Sequence, residues 1–175
     1  MKNFKYILRL TLTLLLITAV VAALLGFVNY LTEDRIEALQ AEKAREAMQE
    51  VLPAQEYEEL TVTKAGINAA YRADGLGYVV NVSVNGFGGE INMMVGVDMD
   101  GKVTGISIVS HSETASLGAN CVREDFRSQY VGAEGNLAVS KDGGTIEALT
   151  GATVSSRAVT NGVNLALEFV KEVQG

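Results

Sequence analysis

From Leu10 to Val28 the chain runs nineteen residues without a charge, and the apolar character continues to Leu31. At about 1.5 Å of rise per residue, a helix of that length spans roughly 28 Å, close to the hydrocarbon thickness of a bilayer. Beyond it the pattern changes. Thr32 followed by Glu33 and Asp34 reads as an N-cap with an acidic first turn. Ile36, Leu39, Ala44, Ala47, Met48 and Val51 then recur at helical spacing until Leu52-Pro53 stops the pattern. This predicts a charged helix over residues 32–52, either separate from the apolar run or continuous with it. From Leu60 onward the period becomes two. Tyr78, Val80, Val82 and Val84 fall on one face of a strand, with Val79, Asn81 and Ser83 on the other and turn dipeptides Asp74-Gly75 and Asn85-Gly86 outside it. Residues 90–98 and 103–110 read as two further strands joined by a hairpin through Asp98 to Lys102. A short helix is expected over residues 123–130 and an edge strand over 137–139. A last helix is expected over about residues 155–173, with Val159, Val163, Ala166, Val170 and Val173 as one buried stripe. Antiparallel strands with helices gathered around them make an α+β class. The expected organisation is a short terminus (1–9), an anchor (10–31), a juxtamembrane helix (32–53) and one domain (54–175).

Charge gives the anchor a direction. Of 14 basic and 21 acidic residues, Lys2, Lys5 and Arg9 precede the apolar run and every acid follows it. Positive-inside asymmetry puts the N-terminus in the cytoplasm and the domain outside. A cleaved signal peptide ending at Val20-Val21-Ala22 is the alternative, but the apolar run is longer than a secretory core needs; either way the domain is exported. The exported part carries a net charge of −10, which repels nucleic acid and anionic headgroups. Cys121 has no intrachain partner and reads as a small buried apolar residue, as Met93 and Met94 read as core fillers. With one histidine, His111, and one cysteine, neither a zinc site of usual composition nor a four-thiolate iron–sulfur cluster can be built within the chain. No Walker loop, dinucleotide fingerprint or nucleophile elbow is present.

What remains is EALTGATVSSRAV, Glu147 to Val159. A helix starting near Val154 or Ser155 presents unpaired N–H groups and the positive end of its dipole. Gly151 and Ala152 let a ligand approach the backbone, and Thr150, Thr153, Ser155 and Ser156 surround the point with hydroxyls. Such a place suits a phosphate. Plain N-capping by Thr153 or Ser155 explains it equally well from physics alone.

Thr150-Gly151-Ala152-Thr153-Val154-Ser155-Ser156 resembles the flavinylation motif of the FMN-binding domain family. His111-Ser112-Glu113-Thr114-Ala115-Ser116-Leu117-Gly118 is similar to that family's His-x-Glu-Thr-Pro-Gly-Leu-Gly segment, and Gly86-Phe87-Gly88-Gly89 also resembles its pattern. In two places the chain departs from it: Glu147 stands where the family usually has Asp, and Ala115 and Ser116 replace its Pro and Gly. The resemblance implies FMN joined to Thr153 through a phosphoester. Thr150, Gly151, Ala152, Ser155 and Ser156 would hold the phosphate, and Glu113, Thr114 and Leu117 would stand near the ring. The overall layout is similar to the G subunits of Rnf electron-transport complexes. That implies an electron relay in a membrane complex coupling ferredoxin:NAD electron transfer to Na⁺ or H⁺ movement, without independent catalysis. The implied partners are iron–sulfur-bearing membrane subunits, a second flavin subunit and a flavin-attaching transferase. Alternatives are the C subunit of Na⁺-translocating NADH:quinone reductase, an independent exported flavoprotein, or a flavin-free interaction module.

Overall fold

The structure, a computed structural model, describes residues 2–175. Helix α1 (Lys2–Val51) opens the chain. Five strands follow: β1 (Glu58–Leu60), β2 (Ile67–Ala73), β3 (Gly77–Asn85), β4 (Glu90–Asp98) and β5 (Val103–His111). A short helix α2 (Glu124–Arg127) and a long one, α3 (Thr153–Gln174), complete the α+β fold, with single 3₁₀ turns between them. The chain divides into two compact units, one ending at Glu42 and one spanning Lys43–Gly175.

In the first unit, an 18-residue stretch within Phe4–Glu33 reaches a mean hydropathy of 2.5, and the segment is long and apolar enough to cross a membrane. The N-cap expected at Thr32 is not there. The helix runs through without a break, and the Thr32 hydroxyl donates back to the carbonyls of Val28 and Asn29. Neither glycine nor proline interrupts the chain at that point, so an acidic pair alone does not start a new helix.

The second unit is a meander, in the order β1-β2-β3-β4-β5 with every pairing antiparallel. Alternation along β3 and β4 feeds two cores. Tyr78, Val80 and Val82 join Ile91, Met93, Val95 and Val97 beneath α3, against Val159, Val163, Ala166 and Val170. On the opposite face Val79 and Met94 meet Ala47, Met48, Val51 and Leu52 from the end of α1. The two methionines thus fill different cores, each completely buried. Cys121 is buried in the first core, and burial together with the nearby Glu113 charge pushes its thiol up to about 11.

The hairpin between β4 and β5 forms as the sequence predicts, closed by Gly101 N–H to Asp98 O and by two backbone amides on the Asp98 carboxylate. Two further expectations are corrected, and a third is refined. Residues 137–139 make only an isolated bridge, Val139 to Ile146, because the Asp142-Gly143-Gly144 turn leaves no room for a ladder. The stripe of α3 ends at Val170, and Val173 is exposed in the last turn. The helix expected over residues 123–130 is one α-helical turn followed by a 3₁₀ turn, Ser128–Tyr130.

Candidate functional site

Three segments meet at the buried carboxylate of Glu113. Its Oε1 accepts the Phe87 N–H at 2.7 Å, and its Oε2 accepts the Gly88 N–H at 3.3 Å and the Ser155 hydroxyl at 2.9 Å. One side chain therefore ties the β3–β4 turn, the loop after β5 and the first turn of α3. The tightness of the junction explains its glycines. A Cβ on Gly86 or on Gly118 would overlap the Glu113 carboxylate, and one on Gly88 would lie 2.6 Å from the Ser112 carbonyl. His111 lies outside the junction and accepts the Glu113 N–H on Nδ1 at 3.3 Å.

The loop after β5 keeps its turn despite the departure at Ala115 and Ser116. Leu117 N–H donates to Thr114 O at 3.2 Å, and Ser116 sits at φ 63°, the left-handed conformation a type II turn requires at its third position. Proline then glycine would be favoured at these two places, so the family's Pro-Gly and this Ala-Ser encode one turn. Asn120 braces it by donating to the Ser116 carbonyl at 3.0 Å.

Helix α3 begins at Thr153, two residues earlier than the sequence pattern predicts, and its N-cap is Ala152. No side chain caps it, so the capping account of the hydroxyls fails. The amides of the first turn, which no α-helix can pair internally, stand at this end. Each hydroxyl is used differently. Ser156 is fully buried, accepts the Leu149 N–H and donates to the Ala152 carbonyl, so it shapes the loop from beneath. Ser155 holds Glu113. Thr153 is half-buried, and its Oγ1 accepts a hydrogen bond from Lys141 Nζ at 2.9 Å.

A cavity of about 260 Å³ opens beside this helix start, lined by Glu113, Thr114, Leu117, Gly151, Ala152, Thr153 and Ser155. Seven of the nine residues singled out from the sequence thus share one cavity. The other two do not face it. Thr150 lines a separate depression with Arg123, Gln129 and Glu147, and Ser156 lies buried under the loop. Sequence reasoning missed three members. Phe87, Gly118 and Val154 complete the lining, and Phe87 is 73 % exposed. With Leu117 and Val154, Phe87 leaves three large apolar side chains exposed around the cavity, the environment a flat aromatic ligand covers. Uncapped amides and Lys141 at Thr153 suit the phosphate end of the same ligand. The residues present therefore fit FMN. The signal for Phe87 was its place inside the Gly86-to-Gly89 turn, and for Lys141 a cation just ahead of a tight Asp-Gly-Gly turn.

The FMN-binding domain model matches residues 86–168, so the cavity lies in an FMN-binding domain. A second model, the RnfG N-terminal region, matches residues 1–51. The G subunit of the ion-translocating oxidoreductase complex of Methanosarcina acetivorans is 32 % identical, over all of both chains. The G subunit of the Na⁺-translocating ferredoxin:NAD⁺ oxidoreductase complex of Acetobacterium woodii is 33 % identical over 98 % of this chain and 95 % of its own. The chain belongs to the G-subunit family of ion-translocating oxidoreductase complexes. Among solved structures, the C subunit of the Na⁺-translocating NADH-quinone reductase of Parabacteroides distasonis shares the fold at 18 % identity and a TM-score of 0.53, over 76 % of this chain and 82 % of that one.

Proposed function

We propose that this chain is the covalently flavinylated electron-relay subunit of an Rnf-type complex, with FMN joined to Thr153. The observation that carries the proposal is a threonine hydroxyl at an uncapped helix start, on the wall of a cavity ringed by exposed apolar side chains. A structural hydroxyl would be capping the helix or buried, as Ser155 and Ser156 are. Thr153 does neither and stays open to an attaching enzyme. When bound, FMN supplies one- and two-electron redox chemistry, and the protein supplies place and surroundings. Leu117, Phe87 and Val154 offer the ring an apolar seat and shed water from it. The amides of Thr153, Val154 and Ser155, which have no internal partner, would hold the phosphate. Glu113 fixes the two cavity walls to each other and does not itself need to touch the ring.

We further propose the membrane arrangement that charge asymmetry predicts: residues 10–31 as anchor, N-terminus cytoplasmic and flavin domain outside. Its partners in this reading are iron–sulfur-bearing membrane subunits, a second flavin subunit and the attaching transferase. The complex would couple ferredoxin:NAD electron transfer to Na⁺ or H⁺ movement, as the name of the Acetobacterium relative describes for Na⁺. A Thr153→Val chain expressed with its native partners tests the proposal. It should remain in the membrane, lack covalent flavin, and leave the complex without ferredoxin:NAD activity. Covalent flavin persisting on that variant would refute Thr153 as the attachment point.

A further inference from the structure

Resting on the reading of Thr153 as attachment point, we propose that Lys141 is the phosphate clamp of that site, held in place by the Asp142–Arg157 ion pair. Lys141 is an exposed lysine whose backbone is unusually constrained. It lies in the 3₁₀ turn Ser140–Asp142, closed by Asp142 N–H to Val139 O at 2.8 Å and Gly143 N–H to Ser140 O at 3.1 Å. Gly143 leaves the turn at φ 85°, and Gly144 N–H returns to Val139 O. A Cβ on Gly144 would overlap the Ala138 backbone, so the turn closes tightly on itself. The neighbouring Asp142 then grips Arg157 of α3 with both carboxylate oxygens, at 2.6 Å each. That grip docks the turn against the first turns of the helix, and Lys141 Nζ reaches the Thr153 hydroxyl as a result.

Charge supplies the missing partner. Among the described residues no carboxylate stands within ion-pairing distance of Lys141, although acids outnumber bases in the chain. The ammonium is spent on a neutral hydroxyl. Attachment turns that oxygen into part of a phosphodiester, which carries a negative charge and converts a neutral contact into a charge-assisted one. In the attachment step Thr153 Oγ1 forms a bond to the phosphorus of a flavin dinucleotide. The P–O bond to the departing nucleoside monophosphate breaks, and the hydroxyl proton is released. Lys141 meets the phosphoryl oxygens as that bond forms and remains their counter-ion afterwards. Lys141 donates to the oxygen that reacts, so it touches the reacting group directly, whereas Asp142 and Arg157 are positioning residues.

The test uses the full chain in detergent, the attaching transferase and flavin dinucleotide, with flavin addition followed by intact mass. Lys141→Gln should slow addition about tenfold relative to the natural chain, and Lys141→Arg should restore most of the rate. Unloaded Lys141→Gln should unfold at the same temperature as the unloaded natural chain, and loading should raise its midpoint less. Equal rates for the natural chain and Lys141→Gln would overturn the clamp while leaving Thr153 as attachment point. So would Lys141→Arg as slow as Lys141→Gln. A natural chain that takes up no flavin would overturn the attachment reading and the clamp with it.

Discussion

Ser116 holds a left-handed conformation that costs an L-residue with a Cβ about 1 kcal/mol relative to glycine. Ser116→Gly should therefore raise stability by about 1 kcal/mol, read as a shift of the urea midpoint at unchanged slope. An unchanged or lowered midpoint would mean that the Asn120 brace, not the turn, sets the loop's shape. Cys121 behaves in the opposite sense. Buried and held at about 11, its thiol should resist alkylation at pH 8 in the folded chain and react at once in denaturant. At this scale the sequence was informative where a side chain's role is local. Thr153 was legible as a hydroxyl at a helix start. The burial of Ser156 was legible too, since it lies three and seven residues before Val159 and Val163 on the buried stripe. Its hydroxyl drew it into the phosphate reading although its periodicity placed it in the core. Lys141 and Phe87 left only the weak signals of their turns, because tertiary approach across 12 and 66 residues of chain brings Lys141 to the Thr153 hydroxyl and Phe87 to the same cavity.

Gly96 and Gly105 face each other across β4 and β5 and together form a saddle for the end of α1. A Cβ on Gly96 would lie 2.6 Å from the Val51 carbonyl oxygen, and that same oxygen accepts the Thr104 hydroxyl at 2.6 Å. Backbone cannot yield as a flexible side chain does, so Gly96→Ala should cost about 1–3 kcal/mol by thermal or urea unfolding. A neutral outcome would show that the helix end shifts freely. The Asp142–Arg157 pair makes a pH prediction. Hydrogen bonds from Arg157 hold the Asp142 carboxyl below its ordinary 3.8. The pair is therefore intact above that value and is lost as pH falls through the lower folded value. Amide exchange in residues 140–144 should stay slow at pH 5 relative to the intrinsic rate and lose that protection at the acid end of the range. The elements with clean periodicity were readable: β3, β4, β5, the hairpin between the last two, and α3. Strands β1 and β2 were not singled out, because β1 has three residues and β2, Ile-Asn-Ala-Ala-Tyr-Arg-Ala, offers small residues where an alternating strand shows branched ones.

The boundary between the units falls within α1, not at its end. Ala47, Met48, Val51 and Leu52 belong to the core of the Lys43–Gly175 unit and cover Ala73, Val79 and Met94. A chain beginning at Lys43 should fold without the apolar segment and unfold in one transition. A chain beginning at Ala54 exposes that sheet face, removes Met48, Val51 and Leu52, and should lose about 4.5 kcal/mol, at roughly 1.5 kcal/mol for each large apolar side chain removed. Equal stability of the two chains would show that the α1 segment merely rests on the sheet. Composition made the apolar segment legible, but not this division of the helix, because charged residues lie on both sides of it, Glu33 to Glu42 before and Lys43 to Glu50 after.

Covalent flavin on Thr153 is the central claim, and one measurement tests it most directly. The protein is taken from membranes that contain its own attaching enzyme, denatured, separated and viewed for flavin fluorescence in the gel. The peptide containing Thr150 to Arg157 is then analysed by mass. A fluorescent band, with the mass of FMN added through a phosphodiester at Thr153, is the predicted result. A dark band with an unmodified peptide would contradict the account and leave the uncapped hydroxyl at the start of α3 without a function.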